Sequence, residues 1–129
     1  MQYPDNLKYT KEHEWILVDG SVGIIGITEF AQSELGEIVY VEVDTVGESI
    51  ARDEVFGTVE AVKTTSDLFM PVSGKVIAFN EEIDEKEGDN PAVINEDPYG
   101  KGWIIKVELS DLSELDKLMD AAAYKELVG

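Results

Sequence analysis

Apolar positions along the chain recur mostly at every second residue, in short runs separated by glycine, proline and acidic residues. Trp15-Ile16-Leu17-Val18, then Asp19-Gly20, then Val22 to Ile27 predict a hairpin with a tight Asp-Gly turn. Thr28 is placed to cap a short helix that Gly36 ends. Val39, Val41 and Val43 alternate and share one face of the next strand. Val55 to Val62 reads as a further strand, interrupted by Gly57, and Lys75 to Phe79 follows a turn at Pro71 to Gly74. Residues 80–101 are acidic and punctuated by Gly88, Pro91, Pro98 and Gly100, which predicts loop. Trp103, Ile105, Val107 and Leu109 then fall on one strand face. The tail has helical period, with Asp111 and Glu114 spaced as a capping box and Asp120 ahead of Ala121-Ala122-Ala123. The pattern predicts about seven short strands, a short internal helix and a helical C-terminus, as a mainly β sandwich or barrel. The length predicts one domain over residues 1–129.

Charge narrows the function. Ten basic residues face 28 acidic ones, for a net charge of −18. Such a surface repels phosphate backbones and anionic membranes, so neither nucleic acid nor membrane is expected as a partner. It favours proteins with basic faces. There is no cysteine, which removes disulfides, thiolate nucleophiles and zinc–thiolate sites. The N-terminus carries neither an apolar signal core nor an arginine-rich presequence, and a cytoplasmic location is the expectation.

Catalytic patterns are thin. His13 is the only histidine, so His13-Glu14 lacks the second ligand of a zinc-protease helix, and no Gly-x-Ser-x-Gly elbow supports a triad. His13 reads as a structural residue where a strand begins. Residues 84–90 offer oxygen ligands without the spacing of a calcium loop. With 28 acids present, a paired-carboxylate hydrolase or a sugar-binding sandwich stays open as an alternative of another class. The stretch VEAVKTTSDLFMPVSG points elsewhere. It sets Lys63 at the tip of a hairpin between two apolar runs, with small polar neighbours. A lysine held out this way suits a covalent cofactor carrier, which needs no catalytic groups of its own because the cofactor supplies the chemistry.

Glu60-Ala61-Val62-Lys63 followed by Pro71-Val72-Ser73-Gly74 resembles lipoyl and biotinyl carrier domains. Biotin carriers flank the lysine with methionines, which Val62 and Thr64 do not match. Over nearly the whole chain the sequence resembles the glycine cleavage H-protein family. The marks are His13-Glu14-Trp15, Gly26-Ile27-Thr28, Ala31-Gln32, Leu35-Gly36, Ser66-Asp67, Asn80, Asn95, Asp97-Pro98-Tyr99 and Gly102-Trp103, in order around the lysine motif. The resemblance implies a barrel-sandwich hybrid of two antiparallel sheets. It implies a non-enzymatic carrier with lipoic acid bound covalently to Lys63, shuttling an aminomethyl group. The implied partners are a pyridoxal-phosphate glycine decarboxylase, a tetrahydrofolate-dependent aminomethyltransferase, a lipoamide dehydrogenase and the enzymes that attach lipoate; the carrier itself is expected as a monomer. A lipoyl carrier or relay for another pathway is the nearest alternative. The loaded arm ends in a primary amine, protonated near neutral pH, so its shelter should offer carboxylates. Glu14 and Asp67 match family positions near the arm and are the candidates, with Glu12 beside them.

Overall fold

The computed structural model describes residues 1–129. Nine strands form: β1 (Lys8–Tyr9), β2 (Glu14–Asp19), β3 (Val22–Ile27), β4 (Ile38–Glu42), β5 (Ser49–Ile50), β6 (Val55–Ala61), β7 (Thr65–Phe69), β8 (Gly74–Phe79) and β9 (Ile105–Leu109). Three α-helices join them: α1 (Glu29–Leu35), α2 (Val93–Glu96) and α3 (Ala121–Val128). A 3-10 helix spans Leu112–Lys117, where the tail's period predicted α-helix. Thr28 caps α1 as expected, its hydroxyl accepting the Ala31 N–H, and Gly36 ends it.

The strands make an antiparallel six-stranded sheet, in the order β1-β2-β3-β9-β8-β5, and a three-stranded sheet, β4-β6-β7. The implied barrel is therefore a correction: both sheets are open. Closure requires every strand to be paired on both sides with a consistent stagger. Here β1 and β5 end one sheet with two residues each, and β4 and β7 each pair only with β6. The architecture is a sandwich of two open antiparallel sheets with helices at its margins.

The main core lies between the sheets. Ile16, Ile25, Val76, Ile105 and Val107 from the large sheet meet Ile38, Val41, Phe56, Val59 and Leu68 from the small one. A second cluster of Leu7, Tyr9, Trp15, Ala121 and Tyr124 covers the other face of the large sheet beneath α3. This explains why β2 does not alternate. Trp15 and Ile16 are both 1% exposed because each face of that strand is covered. Tyr9 and Tyr124 stack at 4.8 Å, and Gly26 lets the Trp15 indole lie flat on the neighbouring strand, where a Cβ would come within 2.7 Å of it.

Two predicted faces shift. Val41 is buried and Val43 packs against the core, but Val39 is 42% exposed. An irregularity in the β4–β6 register between Ile38 and Tyr40 breaks the alternation there, so Ile38 goes inside instead. On β9, Ile105 and Val107 are buried and Leu109 packs against them. Trp103 instead joins the outer cluster, because Ile104 ahead of the strand is itself fully buried in the main core.

Candidate functional site

Lys63 stands where expected, at the tip of the β6–β7 hairpin. Glu60 pairs with Thr65, and the Ala61 N–H donates to the Thr64 carbonyl at 2.8 Å. Val62 and Lys63 are left projecting, and Val62 is 71% exposed. The Val62 N–H donates to the Glu37 carbonyl at 3.0 Å, tying the tip to the chain just beyond α1. Gly36 lies under the lysine stem with φ +82°, and a Cβ there would sit 3.1 Å from Lys63 Cε. The position needs glycine twice, for its backbone conformation and for the room it leaves the side chain. Asn95 braces this shelf. Its amide nitrogen donates to the Gly36 carbonyl (2.8 Å) and to Gln32 Oε1 (2.9 Å), while its oxygen accepts the Ile38 N–H at 3.0 Å.

A cleft of about 310 Å³ opens between α1 and β7, beginning at Leu35 beside that glycine. Ile27, Phe30, Ala31, Val59 and Leu68 give it apolar walls. Glu12, Glu14, Glu34 and Asp67 bring four carboxyl groups to it, along with His13. The fold thus gathers all three carboxylates expected from the sequence into one cavity next to the lysine. Glu34 was not foreseen; its helix presents it there, and nothing in its sequence neighbourhood marks it.

The carboxylates differ in character. Asp67 and Glu12 are exposed. Glu14 is 2% exposed. Its Oε1 accepts the Thr10 hydroxyl at 2.8 Å, and its Oε2 accepts the Phe69 N–H at 3.4 Å. The same Thr10 oxygen accepts the Glu14 N–H at 3.1 Å. Burial outweighs these bonds and pushes the carboxyl up to about 8. Thr10 is a supporting residue the sequence did not reveal. His13 occupies a left-handed conformation, φ 72°, at the corner before β2. It is both the expected structural residue at a strand start and part of the cleft wall.

A family model described as Glycine cleavage H-protein matches residues 7–129. A glycine cleavage system H protein of Carboxydothermus hydrogenoformans is 55% identical over 97% of this chain and 93% of its own. That of Bacteroides thetaiotaomicron is 51% identical over 99% and 98%. The chain belongs to the glycine cleavage H-protein family. The H-protein crystal structure from Mycobacterium marinum superposes with a TM-score of 0.83 at 34% identity, covering 98% of this chain and 99% of that one.

As a family member the protein is a non-catalytic lipoyl carrier of glycine cleavage, with lipoyl-lysine as its covalent cofactor. The arrangement fits that group. The exposed lysine offers an accessible amine, the apolar walls suit an aliphatic arm, and the acidic groups suit a cationic end. No helix is long and apolar enough to cross a membrane.

Proposed function

We propose that Lys63 is the lipoyl-bearing lysine of this carrier and that the adjoining cleft shelters the loaded end of the arm. The observation that carries this is adjacency: the Lys63 stem lies over Gly36, and the preceding residue, Leu35, lines a cavity holding four carboxyl groups. When bound, the lipoyl group would supply a disulfide–dithiol couple, able in its opened form to carry an aminomethyl unit on one sulfur between enzymes. The protein supplies position and shelter. The paired strands hold Lys63 out for acylation, and the missing side chain at position 36 gives the stem a path. Ile27, Phe30 and Leu68 exclude water from the aliphatic length.

Glu14 and Asp67 accept hydrogen bonds from the cargo ammonium, each worth about 1.5–3 kcal/mol where partly desolvated. Glu12 adds a weaker, solvated charge. Because burial keeps Glu14 largely protonated at neutral pH, an arriving cation draws its carboxyl down and expels a proton. Shelter of the cargo is therefore coupled to proton release.

The partners are the other proteins of glycine cleavage. The protein acts as a monomer that meets, in turn, a pyridoxal-phosphate glycine decarboxylase, a tetrahydrofolate-dependent aminomethyltransferase, a lipoamide dehydrogenase and lipoate-attaching enzymes. The −18 charge favours basic faces on them. Intact-mass measurement and peptide mapping after lipoylation test the attachment. The added group is expected on Lys63 alone and is absent from Lys63→Arg; its appearance on Lys75 would sink the assignment. For the cleft, Glu14→Gln and Asp67→Asn are expected to be lipoylated normally yet to release ammonia and formaldehyde faster from the loaded form. Retention equal to wild type in both variants would mean that neither carboxyl holds the cargo.

A further inference from the structure

The protein's one histidine is held from the far end of the chain. His13 Nδ1 lies 2.9 Å from the Tyr124 hydroxyl on α3. That hydroxyl lies 2.8 Å from Thr28 Oγ1. Thr28 Oγ1 already accepts the Ala31 N–H at 3.1 Å as the cap of α1, and it makes no other hydrogen bond. Thr28 and Tyr124 are both fully buried, at 0% exposure. His13 Nε2 has no protein partner and is not sealed from solvent.

The hydrogens can be arranged along this chain in two directions. In the first, the Thr28 hydroxyl donates to Tyr124, and the Tyr124 hydroxyl donates to His13 Nδ1. The ring proton then sits on Nε2, which is open to solvent, and both hydroxyl hydrogens have acceptors. In the second, His13 Nδ1–H donates to Tyr124 and Tyr124 donates to Thr28. The Thr28 hydrogen is then left without an acceptor in a buried site, which strongly disfavours that direction.

We propose that Thr28 and Tyr124 are positioning residues that hold His13 as the neutral Nε2–H tautomer, and so keep a competing cation out of the cargo cleft. The proposal rests on the cleft being the cargo shelter. Protonating Nδ1 would force the chain of hydroxyls to reverse and orphan the Thr28 hydrogen. Burial of the ring acts in the same sense and holds it below the usual histidine range. The titratable groups that share the cleft with the ring are Glu12 and Glu14 from its own corner, Glu34 from α1 and Asp67 from β7, and Tyr124 from α3 bonds to it. Glu12 and Glu34 pull the other way and favour an imidazolium. Left to the carboxylates alone, the cleft would recruit His13 as its cation. The hydroxyl relay prevents that and leaves the carboxylates for the cargo ammonium.

A single histidine makes the test direct, because long-range 1H–15N NMR of the unmodified protein reads one ring without assignment. The expected spectrum at neutral pH is pure Nε2–H, with an acceptor-type Nδ1, and a titration midpoint below 6.5. A ring protonated on Nδ1, a mixture of tautomers, or a midpoint at or above 6.5 would overturn the relay. Thr28→Ser keeps the hydroxyl and is expected to preserve the tautomer. Thr28→Asp keeps a cap but, when ionised, offers only acceptors. It is expected to reverse the chain to Nδ1–H and raise the midpoint. Should Thr28→Asp fail to fold, the wild-type spectrum and Thr28→Ser still decide. In the lipoylated and loaded protein, Thr28→Asp is expected to lose cargo several-fold faster than Thr28→Ser, and equal loss would overturn the competition. If Glu14→Gln and Asp67→Asn retain cargo while the tautomer is as expected, the shelter reading fails and the relay survives it.

Discussion

The hairpin tip and the Thr10–Glu14 corner stand at opposite ends of one cleft wall and are built by opposite means. At the tip, backbone bonds alone shape the turn, and Val62 and Lys63 face outwards. At the corner, Glu14 is buried with three hydrogen bonds shared between it and Thr10 or Phe69, and His13 is strained into φ 72°. A group that several enzymes must reach is best served by few contacts. A group that must bind charge away from water needs its polar atoms fixed in advance.

Stability against pH gives the widest separation of the two regions. Glu14 has a folded pKa of about 8 against an ordinary 4.5, so the folded form keeps a proton that the unfolded chain loses between these values. Its contribution is fully present below pH 4.5 and is lost as pH rises towards 8, by about 1.4 kcal/mol per unit. Glu14→Gln should therefore match wild type near pH 4.5 and become progressively more stable through pH 8. Taking the difference between the two proteins in urea melts cancels the other carboxylates. Parallel curves would mean that Glu14 ionises normally and the corner is wet.

Next in size is Trp15→Ala. The indole is 1% exposed and its N–H donates to the Ile27 and Pro98 carbonyls, both at 3.0 Å. Truncation should cost about 3–5 kcal/mol; a cost below 1 would show that the outer aromatic cluster does not anchor the corner. Thr10→Val removes the hydroxyl that serves Glu14 twice and should cost about 1–3 kcal/mol. It should also push the Glu14 carboxyl further up, since that bond holds it down; carbonyl-detected NMR titration of Glu14 would reveal a shift in the wrong direction. The smallest effects belong to the tip. Val62→Thr and Lys63→Arg should each alter stability by less than about 0.5 kcal/mol, and a larger loss would mean the tip is packed after all.

The same contrast decides what the sequence could disclose. The tip was readable because its signals are local: two apolar runs, small polar residues between them and a Pro71–Gly74 turn after them. The corner was not, because His13 meets Tyr124 across 111 positions of chain, and no periodicity reports such a meeting. Glu14 carries a family mark in the sequence, whereas its burial and raised pKa come only with β2 packed against β7. Val39 departs from its strand's alternation because an irregular register is a property of a strand pair, which one strand's pattern cannot show. The barrel failed for a related reason: strand count is visible in the pattern, but whether edges meet is not. The short strands β1 and β5 and the four-residue α2 are too brief to leave a period.

The open edge of the small sheet carries a consequence for crowding. A free strand edge invites pairing with another molecule, and β7 is such an edge, five residues long. The Phe69 amide at its end is already taken by Glu14, and Asp67 projects a charge midway along it. A second copy approaching to extend the sheet would have to strip Glu14 of that amide and bring two −18 surfaces together. The groups that line the cleft thus also guard the chain against aggregation through this edge, and neutralising them should leave the protein more prone to self-associate when concentrated.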